Sequence, residues 1–175
     1  MRKYTIKKGW RRPLWSLQYP ILVRKNKNIK FTKKFTFTES CLYKINGKVP
    51  TFLNKLFGFS PSFGIRKHHN QSWRFGWKPS WDLKQIDIFT YEYRNGILIM
   101  EHLKSVDIGT EYTYTISYDW SRKVLRWEIE IDNISWVSER EVDLDITISI
   151  GYTLGIYFGG KNKPRSPHDI VIYKG

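Results

Sequence analysis

Alanine is absent from this 175-residue chain, methionine occurs twice and cysteine once. Each scarcity excludes something. Alanine is the best helix former, and Thr, Ile, Tyr, Phe and Trp dominate in its place, which is a β composition. A single cysteine, Cys41, rules out a disulfide framework and any multi-cysteine zinc site. Its position in the β-like run 41–45 reads as a buried, unreactive thiol. No apolar run approaches the roughly 18 residues of a membrane-spanning helix. Lys, Arg and Pro interrupt every apolar stretch behind Met1, so neither a signal peptide nor a transmembrane segment is expected.

Acids are missing from one end. Residues 1–34 carry twelve Lys and Arg with no Asp or Glu, whereas residues 82–145 hold fourteen of the sixteen acids. The formal charge of +14 is therefore polarised along the chain. A basic first part and an acidic middle can satisfy each other, so net charge alone does not announce a nucleic-acid binder.

What is present is period-two alternation. Phe31, Lys33, Phe35 and Phe37 alternate with Thr32, Lys34, Thr36 and Thr38. Asn46-Gly47 and Asn95-Gly96 are type I′ hairpin dipeptides, which predicts strands at 41–45 and 48–51 and at 86–94 and 97–103. Further strands are predicted over 111–118, 123–131, 141–150, 153–158 and 170–173. A short helical turn is expected within 52–64. About nine strands with short connections predict an all-β fold, a two-sheet antiparallel jelly-roll sandwich over residues 31–175. Residues 1–30, basic and broken by Pro13 and Pro20, read as an extended arm outside it.

Three sets of residues stand out. Trp73, Arg74, Trp77 and Trp81 with His69, Tyr91 and Tyr93 form an aromatic–basic cluster suited to the C–H faces of a sugar, to stacked bases, or to an ordinary core. In the arm, Arg2, Lys3, Lys7, Lys8, Arg11 and Arg12 surround Trp10 and Trp15, the mixture that protein interfaces concentrate; phosphate contacts are the alternative. Glu128, Glu130, Asp132, Asp143 and Asp145 would share one polar face if 123–132 and 141–150 were neighbours. Like charges across a ladder repel, so that face calls for solvent, the basic arm, a neighbouring subunit or a calcium ion. His68 and His69, with His102 or His168, lack the spacing of a zinc site. No nucleophile–base spacing is found, and no cofactor is implied.

Residues 67–77 continuing to 86–96, together with 157–162 and 166–172, resemble small jelly-roll proteins of Bacteroidota and their phages, including crAss-like gut phages, of concanavalin/laminin-like fold. The resemblance covers roughly residues 40–173. Alginate-lyase-type enzymes share that sandwich, but their Gln-x-His strand is absent, and 151–160 supplies Tyr152 and Tyr157 without the lysine. The expectation is a non-enzymatic assembly or attachment module. A virion structural protein docking through its arm comes first, a lectin-like carbohydrate-binding module second, and a nucleic-acid-associated protein third. The expected location is a virion or the bacterial host cytoplasm.

Overall fold

The computed structural model describes residues 1–14, 18–61, 67–160 and 162–175. Among these, twelve strands form two antiparallel six-stranded sheets. The first runs β1 (Arg2–Ile6), β12 (Ile170–Lys174), β3 (Ile29–Phe37), β8 (Glu111–Asp119), β9 (Val124–Ile131), β10 (Ile134–Glu141). The second runs β2 (Pro20–Arg24), β11 (Ile148–Leu154), β4 (Asn54–Ser60), β5 (Gln71–Pro79), β6 (Gln85–Arg94), β7 (Ile97–Asp107). This is the all-β jelly-roll sandwich that the alternation predicts.

Aromatic side chains from the two inner faces fill the core. Phe35 of β3 packs 5.6 Å from Phe57 of β4 and 5.8 Å from Tyr114 of β8. Phe37 meets Trp77 at 5.2 Å, and Trp73 stacks at 6.3 Å on Tyr118. Such offset and edge contacts suit the ring quadrupole and add to the area buried. At one side a charge lies between the sheets. Glu92, fully buried on β6, accepts from Trp73 Nε1 at 3.2 Å, Arg94 Nε at 2.9 Å and Arg140 Nη1 of β10 at 2.8 Å.

Four expectations are corrected. Residues 1–30 do not stand apart: β1 pairs with β12 from Arg2↔Lys174 to Ile6↔Ile170, and β2 pairs with β11. Ile6 and Val23 are buried, so each strand contributes an apolar side chain to the core that a free arm would leave wet. The helical turn within 52–64 is instead β4, whose Leu56, Phe57 and Phe59 are all buried. Asn46 and Gly47 adopt the positive φ of the type I′ turn, but only the single bridge Ile45↔Lys48 flanks them. Finally, Asp132 and Asn133 turn with positive φ, so β9 pairs with β10, which takes in only Glu141 of the predicted strand 141–150.

That last turn dissolves the expected acidic ladder. Glu128 faces Val137 and Thr115 and accepts from Arg126, while Glu130 faces Ser135 and Thr113. Asp143 and Asp145 lie beyond β10, Asp143 paired with Lys123 at 2.7 Å. Asp132 is exposed in the turn.

Candidate functional site

Strand geometry sorts the aromatic–basic cluster into two faces, because successive side chains on a strand point oppositely. On β5, Trp73, Phe75 and Trp77 are fully buried in the core. Ser72 and Arg74 point the other way, into an open groove of about 770 Å³ on the outer face of the second sheet. Tyr91 and Tyr93 on β6, and His69 from the turn before β5, line the same groove. Of the seven predicted ligand residues, four therefore converge. Trp73 and Trp77 are core, and Trp81, 85% exposed on the turn after β5, lies apart.

A row of register partners forms the floor: Leu154 of β11, Gly58 of β4, Arg74, Tyr91, and Met100 of β7. Gly58 is required there. A Cβ at that position would run into the Trp73 carbonyl and lie 2.6 Å from Arg74 Cα. One row over, Ser72, Tyr93 and Leu98 are partners, and Ser72 Oγ donates to the His68 carbonyl at 2.6 Å, tying the histidine turn to the sheet. His69 packs edge-on against Tyr93 at 5.2 Å.

The far wall comes from Gly155, Ile156, Tyr157, Gly160, Asn162 and Lys163. Lys55 and Tyr157 exchange backbone hydrogen bonds at 2.8 and 2.9 Å, and the Gly159 amide donates to buried Asn54 Oδ1 at 2.8 Å. The N-terminal segment closes the rim. Arg12 sits over the Tyr157 ring at 5.2 Å, and Arg11 Nη2 donates to the Lys163 carbonyl at 2.7 Å. Lys7 Nζ pairs with Asp169 at 2.8 Å and the Lys8 backbone amide donates to the same carboxylate at 2.9 Å, while Arg2 and Lys3 are exposed on the edge strand β1. Trp10 is exposed, and Trp15 lies outside the described residues.

The groove is strongly one-signed. Arg12, Lys55, Arg74 and Lys163 line it, and none of its described lining residues is Asp or Glu. Lys55 Nζ donates to the carbonyls of Leu53, at 3.2 Å, and Gly159, and lies 5.0 Å from the centre of the Tyr91 ring. Burial, followed by the neighbouring Arg74, Arg11 and Lys163, pushes its pKa down to about 7. Burial likewise brings Arg74 to about 10, which leaves it a cation at neutral pH. His69 is shifted below the usual imidazole value by burial and by Lys55 and Arg74. Burial raises the Tyr91 hydroxyl, with Tyr93 adding to the effect.

Lys55 and Lys163 are not among the residues the sequence singles out, and Tyr157 is named there only for its place in 151–160, because the pairing of Lys55 with Tyr157 is long-range. Arg12 was assigned to a partner surface and is found at the groove rim. No group of three or more His, Cys, Asp or Glu able to hold a metal forms among the described residues. His102 bonds Ser105 and His168 bonds the Ser40 carbonyl, both away from the His68–His69 pair. Cys41 is buried, with its thiol pushed up to about 12 by that burial.

No family model matches the sequence, and no curated protein sequence matches it significantly. Solved structures do. An alginate lyase from Klebsiella pneumoniae superposes with a TM-score of 0.52 at 8% identity, over 84% of this chain and 56% of the lyase. A winged bean acidic lectin complexed with methyl-α-D-galactose superposes with a TM-score of 0.51 at 14% identity, over 98% of this chain and 83% of the lectin. At these identities the likeness is one of fold. The chain spans little more than half the length of the lyase.

Proposed function

We propose that this chain is a saccharide-binding module whose ligand lies along the groove on the outer face of the second sheet. The carrying observation is the convergence of half-buried Tyr93 and Tyr157 rings with the polar side chains of Arg74, Gln18 and Asn162 in one open groove. Aromatic faces take the C–H side of a sugar ring, and a few placed polar groups orient its hydroxyls. A lectin complexed with methyl-α-D-galactose has the same fold; the reading rests on the groove, since fold alone carries no function. Binding without cleavage is the simplest form of it. The described lining residues contain no Asp or Glu, whereas glycoside hydrolysis ordinarily uses a carboxylate pair.

A glycan array followed by calorimetry on hits tests this. Tyr93→Ala is expected to weaken binding at least tenfold, and Trp81→Ala to leave it unchanged. An array without hits, or a binding curve indifferent to Tyr93→Ala, overturns it.

One observation favours a second reading, assembly into a larger structure such as a virion. Leu22, Ile148 and Ile150 are 57%, 60% and 47% exposed, with Leu22 and Ile150 register partners at the open β2 edge of the second sheet. An exposed apolar edge invites strand pairing. Sedimentation should then show an oligomer that Leu22→Arg dissociates; a monomer at all concentrations removes this reading.

A further inference from the structure

We infer that the groove floor holds an anion subsite, built from Arg74 with Lys55 and Arg12, that receives the carboxylate or sulfate of an acidic saccharide. The inference rests on the saccharide reading and names its ligand class.

The treatment of arginine across the molecule carries it. Arg94 and Arg140 are paired with buried Glu92, Arg122 and Arg126 with Glu139, and Arg126 again with Glu128. Arg74 is only 7% exposed, yet it has no carboxylate partner among the described residues. Its Nη2 donates at 2.6 Å to the Gly155 carbonyl, and its Nε–H is buried without an acceptor. A buried charge held without a counter-charge is costly, and natural chains seldom leave one unless something else neutralises it.

The surroundings deepen the deficit. Lys55 and Arg12 face the same space, the described lining contains no acid, and the chain places its carboxylates elsewhere. The mutual repulsion of Arg74, Lys55, Arg11 and Lys163 already opposes the charge on Lys55. An anion on the floor would relieve that repulsion and supply the acceptor that Arg74 lacks. The guanidinium fork matches a pair of oxyanion oxygens, as a carboxylate or a sulfate presents, and charge-assisted hydrogen bonds are about twice as strong as neutral ones. A concave, one-signed site also concentrates an anionic ligand by focusing its field. A saccharide suits the site better than a nucleic acid because the cations sit on the floor of an aromatic-walled groove and not along an extended stripe.

The experiment is calorimetry on the full chain with three sets of probes: oligouronates, sulfated oligosaccharides, and the carboxyl-reduced or desulfated counterpart of each. A single-stranded oligonucleotide serves as a polyanion control. An acidic saccharide should bind at least tenfold more tightly than its neutral counterpart, and the two acidic classes separate carboxylate from sulfate. Arg74→Gln should weaken the acidic ligand roughly 10- to 100-fold and the neutral one at least tenfold less than that. If that variant does not fold, Arg12→Gln at the exposed rim gives the same contrast with a smaller loss. Equal binding of acidic and neutral saccharides overturns the anion subsite while the saccharide reading stands. Failure of every saccharide, with or without oligonucleotide binding, overturns both.

Discussion

The buried contact between Glu92 and Arg140 gives a quantitative test of how the two sheets are held together. Glu92 accepts from Trp73, Arg94 and Arg140, and the Arg140 bond crosses from β6 to β10. Glu92→Gln keeps one acceptor oxygen but turns an NH₂ toward guanidinium donors, so one or two charge-assisted bonds go. At about 1.5–3 kcal/mol each, the loss is about 1.5–6 kcal/mol, and the cost of breaking a buried pair places it at about 3–5 kcal/mol. Arg140→Met removes one donor. Glu92 keeps Arg94 and Trp73, while Thr90 and Glu101, the other Arg140 partners, are left to solvent or neighbours. That variant should therefore cost about 2–3 kcal/mol. The two residues share one bond, so the double variant should fall short of the sum by about 2 kcal/mol. Urea unfolding followed by tryptophan fluorescence reads all four corners of the cycle. In a domain of this size each kcal/mol corresponds to roughly 2–4 °C in Tm, so Glu92→Gln should melt about 10 °C lower. A coupling below about 0.5 kcal/mol would refute the bridge between the sheets.

Gly58→Ala should cost at least about 3 kcal/mol or prevent soluble expression, since its Cβ meets backbone that cannot retreat. Gly47→Ala, in open space at positive φ, should cost about 1 kcal/mol; equal melting temperatures for the two would contradict the close approach of β4 and β5. Trp77→Ala should lose about 3–5 kcal/mol, while Trp81→Ala stays within about 0.5 kcal/mol of the parent by chemical denaturation. The folded chain holds Lys55 near 7 and Lys33 near 8, the latter by burial and then Lys174. Both lie below the unfolded value of about 10.4, so the unfolded chain binds more protons across that interval. Stability should therefore rise with pH from about 7 to about 10, and melts between pH 7 and 9 should lose most of this slope in a Lys33→Met, Lys55→Met double variant. Affinity for an acidic saccharide should run oppositely, falling as pH rises from about 6 to about 8 as Lys55 loses its proton. The groups facing that amine are Arg74, Arg11, Lys163, His69, Tyr91 and Tyr157. Calorimetry with Lys55→Met should show a flat profile, and a retained slope would assign the titration to another group.

The hairpin at Asn95-Gly96, the strands β8, β9 and β12, and the sandwich class were legible in the sequence, because alternation and turn chemistry are local. So was the division of the aromatic–basic cluster, had the alternation of 71–79 been followed: Ser72, Arg74 and Gly76 interleave with Trp73, Phe75 and Trp77. Grouping Trp73 and Trp77 with Arg74 by sequence proximity set aside the rule that neighbours on a strand face opposite ways. The Asp132-Asn133 turn is local too, since Asp and Asn tolerate positive φ, and it breaks up the acidic ladder.

By itself, then, the sequence determined that the chain is β, where several strands lie, and which side chains of each strand share a face, since these follow from backbone geometry and the hydrophobic effect over a few residues. It could not place 1–30, because whether a basic segment is a free arm or two edge strands depends on partners more than a hundred residues away. Nor could it assemble the groove, which needs the β4–β5 approach at Gly58, the docking of 157–159 on Lys55, and the closure of the rim by Arg12. Tertiary structure decided those by long-range pairing. In doing so it left Arg74 buried without a carboxylate, a deficit that emerges only when every neighbour of that charge is in place.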